Sequence, residues 1–288
     1  MTFSAQDIKK LREKTGAGMM DCKKAIQETG DIEKAVDWLR KKGINTAQKK
    51  SARSATDGLI TVEIDNNVGV IMEINSETDF VAKNEIFLNF CEALSKHCIL
   101  NKISKVDQLL ESIIDNSKSK VKDELTNIIA KLGENIVIKR LNLINQTDLF
   151  LQKYIHNSVS DNSGKLGVIL CYKSSKNDPN IKEISKQISM HIAATDPKSL
   201  DIESLDQSLI EKEREIFRDQ LKSTNKPPDI IEKIIEGKIK KFYDEVCLLE
   251  QFFVMDNKVK VKDYISNFNK SNDLKFSIEE YFVYKLGA

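Results

Sequence analysis

The stretch from Gly58 to Asn84, GLITVEIDNNVGVIMEINSETDFVAKN, decides how the chain is read. LITVEID alternates apolar and polar residues as a half-buried strand does, NNVG supplies a turn, and VGVIMEI is an apolar run of strand length. The spacing predicts a β-hairpin. At its exit the chain places two carboxylates, Glu77 and Asp79, directly before an aromatic, Phe80. Strand exits often carry working groups. These residues admit several readings: an acid pair, a metal site, a helix cap formed by Ser76, Thr78 or Asp79, or a contact made for another protein. Residues at alternate positions of an extended segment point to opposite sides, which speaks against the acid pair.

On the N-terminal side, about 45 residues read as three short helices. Ser4 and Asp7 have the spacing of a capping box ahead of Ile8 and Leu11. Gly16 and Gly18 punctuate the chain before a helix carrying Cys22, Ala25 and Ile26, which Gly30 stops. Asp31 is placed to cap a third helix with Ile32, Ala35, Val36 and Leu39 on one face, and Gly43 is expected to end it. The stretch Leu39–Thr56 is basic and lacks an acid, so it reads as a solvated helix tail and linker or as a docking patch for RNA or an acidic partner.

On the C-terminal side, residues 85–99 are expected to form a helix, VKDELTNIIAKLG another that ends at Gly133, and NIVIKRLNLI a strand. LQKYIHNSVSDNSGKLGVILCYK followed by IKEISKQISMHIAAT repeats the order of strand, turn, strand and helix, a distant echo of the first half. In the charged segment beyond 198, Leu205, Leu209, Ile216 and Leu221 fall at near-heptad spacing. KSTNKPPD breaks the helix, Asp229 is placed to cap the next, and Ile230, Ile231, Ile234, Ile235, Ile239, Phe242 and Val246 form its stripe. A final helix and strand are expected to return to the sheet of the second half.

The whole chain narrows the function. It has 288 residues, 40% hydrophobic and 31% charged, enough for two or three domains. Its 45 basic and 44 acidic residues give a net charge of +1, unlike a dedicated nucleic-acid coat. The five cysteines are scattered and suit reduced thiols, and the charged N-terminus lacks the apolar core of a signal peptide. No apolar run is long enough to span a bilayer, and a soluble, cytoplasmic protein is expected. Neither GxxxxGK[ST] nor GxGxxG occurs, so nucleotide binding by a glycine-rich cradle is not expected. The three histidines, His97, His156 and His191, make no HxxxH or HExxH pair. Cys91, His97 and Cys98 share one helix that must bury a face, a poor metal site. No nucleophile motif is present.

Two segments are more specific than this physics. LREKTGAGMMDCKKAI (Leu11–Ile26) and EINSETDFVAKN (Glu73–Asn84) closely resemble the signature segments of the bacterial translation elongation factor Ts family. The likeness continues through GDIEKAVDWLRKKG, AKLGENIVIKR, HIAA and EGKIKKFYDEVCLLEQFFV. It implies a guanine-nucleotide exchange factor for elongation factor Tu, with no cofactor, no metal, no direct nucleotide binding, no membrane and no covalent chemistry. The implied fold is α+β: a three-helix, UBA-like partner-docking module (1–54), an N-subdomain (55–148), a C-subdomain (149–197 and 249–288), and an antiparallel coiled-coil hairpin (198–248) inserted in it.

By resemblance, Thr78, Asp79, Phe80 and Val81 intrude near the Mg²⁺ site of the partner, with Phe80 as the wedge. Leu11, Met19 and Met20 dock on its nucleotide-binding domain, and His156 and His191 belong to the half that meets another of its domains. The partner is met in GDP-bound and nucleotide-free forms, with a dimer of heterodimers as one arrangement. The sequence ends at YFVYKLGA, so by resemblance the extra C-terminal helical module of some members is not expected. Two alternatives are carried: a ribosome- or RNA-associated protein using Arg40–Arg53, and a metal-dependent enzyme using Glu73, Glu77 and Asp79.

Overall fold

The computed structural model describes residues 4–114, 119–176, 178–222 and 227–288. The fold is α+β with antiparallel strands, and the chain divides into two compact units. The first comprises residues 1–145, 157–166 and 284–288, and the second 146–156 and 167–283.

The first unit opens with helices α1 (Ala5–Thr15), α2 (Met19–Thr29) and α3 (Ile32–Lys50). Ser4 and Asp7 form the expected capping box, Gly30 closes α2 in the left-handed region, and Asp31 caps α3 by accepting the Lys34 N–H at 2.9 Å. Gly43 does not end α3, which runs on to Lys50 and turns half of the expected linker into helix. The reason lies in packing. Gly43 is buried where α3 crosses α7 (Val121–Leu132), and a β-carbon there would stand 3.3 Å from the Ala130 β-carbon. This glycine lets two helices approach; it is not a stop signal.

β1 (Asp57–Asp65) and β2 (Val68–Ser76) form the expected hairpin, with Asn66 at φ 52° in its turn, and β2 pairs on its other edge with β3 (Ile136–Asn145). The alternation read in LITVEID does not translate into one wet face. Leu59, Ile60, Thr61 and Val62 are all fully buried, because both sides of the hairpin are covered. One side packs Leu59, Val70, Met72 and Ile74 against Phe87, Phe90 and Leu94 of α5 (Glu85–Asn101). Between β2 and α5 lies a single helical turn, α4 (Asp79–Ala82); a short α6 (Val106–Glu111) follows α5. Neither Ser76, Thr78 nor Asp79 caps α5: Asn84 does, accepting the Ile86 N–H at 2.9 Å. Gly133 ends α7 as expected, at φ 75°.

The second unit holds most of β4 (Phe150–Ser160) and β5 (Ser163–Ser174), then α8 (Pro179–Thr195). Helices α9 (Gln207–Leu221) and α10 (Pro228–Val246) pack on each other. The inner face of α9 is Ile210, Phe217 and Leu221, whereas Leu209 and Ile216 of the expected stripe are exposed. Leu205 is buried but precedes the helix, which starts after its cap Asp206, so it does not set the helical phase. On α10, Ile235 and Ile239 are buried and Ile230 faces out. Asp229 sits inside the first turn, after Pro228, and favours the helix dipole without capping it. Of the expected breaker, Ser223–Lys226 lie outside the described residues. β6 (Phe252–Phe253) and β7 (Asp256–Lys260) form a small hairpin, followed by α11 (Val261–Asn272) and β8 (Phe276–Lys285), which pairs with β5.

Candidate functional site

The turn after β2 is held from both sides by its neighbours. Glu77 Oε1 accepts the backbone N–H of Asn135 at 2.7 Å, and Arg53 stands 3.5 Å from its other oxygen. In return Glu134 accepts the Thr78 N–H at 2.9 Å and the Thr78 hydroxyl at 2.6 Å. The Ser76 hydroxyl donates to the Thr78 carbonyl at 2.9 Å. The Asn135 amide, with Arg53 behind it, holds the Glu77 carboxyl below the usual carboxylate range. Asp79 takes a different partner, Lys83, at 2.7 Å, and that hydrogen bond raises the Lys83 pKa. The two carboxylates therefore serve separate bonds, one structural and one on the surface.

What this framework presents is Phe80, 80% exposed, while Val81 beside it is buried in the core. An aromatic left in water forgoes about 1.5–3 kcal/mol that burial would return. A single exposed apolar residue is unremarkable by itself. Its place on a tightly fastened turn makes it a candidate contact. The Asp79–Lys83 pair is exposed and screened by water, so Asp79 can exchange Lys83 for another cation at little cost.

The remaining expected site residues belong to other elements. Leu11 is fully buried among Cys22, Ala25 and Ile26, whereas Met19 and Met20 at the start of α2 are 46% and 74% exposed. His156 is exposed, with its Nδ1 3.0 Å from the Tyr154 hydroxyl. His191 is buried and neutral: burial lowers its pKa, its Nδ1 accepts the Val254 N–H at 3.2 Å, and Nε2–H donates to Gln251 Oε1 at 2.9 Å. It braces the hairpin that exposes Phe252, Val254 and Met255. His97 is likewise internal, 2.8 Å from the Ser112 hydroxyl and 3.1 Å from the Asn101 amide.

Sequence reasoning missed Glu134 and Asn135. They stand 56 to 58 residues from their partners, beyond any local pattern, and GENI showed only as part of a family likeness. Of the six cations in Arg40–Arg53, four have partners within the first unit: Arg40 with Asp123 at 3.7 Å, Lys42 with Asp21, Lys50 with the Gly133 carbonyl, and Arg53 with Glu77. Among the described residues no cluster of three or more His, Cys, Asp or Glu side chains is arranged to hold a metal ion. No helix there is long and apolar enough to cross a membrane.

A family model described as Elongation factor TS matches residues 77–288, which begins at the turn described above. Elongation factor Ts of Rickettsia bellii (strain OSU 85-389) is 42% identical over the whole of this chain and 93% of its own length. Elongation factor Ts of Rhodospirillum centenum (strain ATCC 51521 / SW) is 42% identical over 99% of this chain and 93% of its own. The chain belongs to the elongation factor Ts family. Its role is that of the family, guanine-nucleotide exchange on elongation factor Tu in translation elongation.

Proposed function

We propose that this chain releases GDP from elongation factor Tu by pressing the Thr78–Val81 turn, with Phe80 foremost, beside the partner's magnesium and phosphate site. The observation that carries the proposal is the exposed Phe80 on a turn fastened by Glu77 and Glu134. GDP is held largely through its phosphates and a bridging Mg²⁺. A side chain that shifts the metal's supporting elements weakens the nucleotide without touching the guanine. Asp79, released from Lys83, meets a polar or basic group of the partner.

Met19 and Met20 are the adaptable apolar contacts of a UBA-like docking module at residues 1–54, whose core holds Leu11. The core then divides at 55–148 and at 149–197 with 249–288. The helices of 198–248 act as a coiled-coil hairpin. His156 meets the partner directly, and His191 does so through the hairpin it braces. The factor binds both the GDP-bound and nucleotide-free partner, works without covalent chemistry or cofactor, and acts in the cytoplasm, where translation proceeds; two heterodimers pairing is compatible with it.

Linkage supplies the test. If the factor prefers the nucleotide-free partner, it must lower GDP affinity by the same ratio by which GDP lowers its own. Calorimetric titration of the partner with and without GDP should show reciprocal weakening for the wild type and a smaller ratio for Phe80→Ala. Equal affinity of the factor for both partner forms would refute the proposal. The alternative, a ribosome- or RNA-associated protein, predicts instead strongly salt-dependent RNA binding through Arg40–Arg53.

A further inference from the structure

The three-residue connection from α7 to β3, Gly133–Asn135, ties together two segments remote in sequence. Toward the end of α3, the Gly133 carbonyl accepts from Lys50 Nζ, and Asn135 Nδ2 donates to the Arg53 carbonyl at 2.8 Å. Toward the Phe80 turn, Asn135 donates its N–H to Glu77 and Glu134 accepts twice from Thr78. Asn135 is 4% exposed, so its bonds are made out of water. Glu77 takes its donor from the entry to β3 and Glu134 takes its two from the exit of β2, so neither carboxylate is spent on its own segment.

α4 needs such support. It is one turn of four residues, and Thr78, at its N-cap position, makes no side-chain cap. A single turn fixes several backbone angles for very few bonds and does not persist alone. The direction in which Phe80 leaves the backbone is therefore set by what holds Thr78: Glu134 at its N–H and hydroxyl, and Ser76 at its carbonyl. A contact held in its bound geometry beforehand loses less freedom on association.

We propose that Glu134 is a positioning residue for nucleotide exchange, fixing the Thr78 peptide so that Phe80 is presented in one direction. This rests on the reading of Phe80 as the wedge. Glu134 does its work through Phe80 alone and takes no part in docking by Met19 and Met20. Its loss should therefore lower the rate inside the complex and leave the assembly of the complex unchanged.

The test uses full-length factor titrated against elongation factor Tu loaded with fluorescent GDP. Release is followed by stopped flow to give a maximum rate and a half-saturating concentration. Glu134→Ala should lower the maximum rate about ten- to hundredfold, the scale of a small misplacement at a working group. The half-saturating concentration should stay within about twofold, as for an interaction made only in the transition. Glu134→Gln, which keeps the shape and one acceptor, should recover most of the rate. Glu134→Ala with Phe80→Ala should be no slower than Phe80→Ala alone, since residues acting as one unit are not additive.

A wild-type rate for Glu134→Ala beside a slow Phe80→Ala overturns the positioning role and leaves the wedge standing. So does a double variant as slow as the product of the two single effects. A wild-type rate for Phe80→Ala removes the wedge, and this inference with it. If melting curves show that Glu134→Ala does not fold, the same cycle with Thr78→Val, which removes only the hydroxyl bond, decides by the same criteria.

Discussion

At the scale of single residues, exposure separates the groups that work outward from those that work inward. Phe80 buries so little that Phe80→Ala should leave the melting temperature unchanged while slowing GDP release at least tenfold, a barrier of about 1.4 kcal/mol or more. Thermal unfolding and stopped-flow release, measured on the same preparation, check both halves. His191 is the opposite case. Folded, it is held neutral by burial and accepts the Val254 N–H, so its pKa lies below the ordinary value near 6.5. The unfolded chain then takes up the proton first. Its share of stability is complete above about pH 6.5 and is lost as the pH falls through the ordinary histidine range. Urea unfolding from pH 8 to 5 should show this decline in the wild type and a flatter course in His191→Gln. An equal slope in both would refute the assignment.

Sequence alone could not sort these residues. Leu11, Met19 and Met20 belong to one family segment, yet the first is core and the others are surface. Helical spacing ranks faces and does not say which face another helix covers. The phase of α9 shows the same limit: Leu209 and Ile216 stand seven apart and face outward, because Ile210 and Phe217 one position on meet α10.

At the scale of elements, the caps and turns were legible because their chemistry is local: the Ser4–Asp7 box, Asp31 and the Asn66 turn are all where the residues place them. What stayed illegible was tertiary. Gly43 reads as a stop and is a helix crossing. Thr78 and Asp79 read as caps and instead serve Glu134 and Lys83. Gly58 shows how closely the hairpin leading to the turn is built. Its φ is 127°, and a β-carbon would lie 2.2 Å from the Ile74 carbonyl oxygen. Gly58→Ala should cost about 2 kcal/mol or more in urea unfolding, since strain and overlap act together. A loss within about 0.5 kcal/mol, typical of a surface change, would mean the strand shifts freely.

At the scale of the whole molecule, function was legible from resemblance before it was legible from physics. Composition, the lack of a phosphate loop and the scattered cysteines and histidines narrow the chain toward binding, without naming what it binds. The family supplies the partner, and the fastened turn is the route to nucleotide release that we propose. An exchange factor must also let go. GTP rebinding expels it by the same reciprocity through which it expels GDP, so it turns over without being consumed. The most direct measurement is the release of fluorescent GDP from elongation factor Tu, with this protein at a small fraction of the partner's concentration and excess unlabelled nucleotide present. The account predicts that every partner molecule loses its GDP much faster than it does alone. Release at the intrinsic rate, or acceleration of only as many molecules as there are copies of the factor, would contradict it.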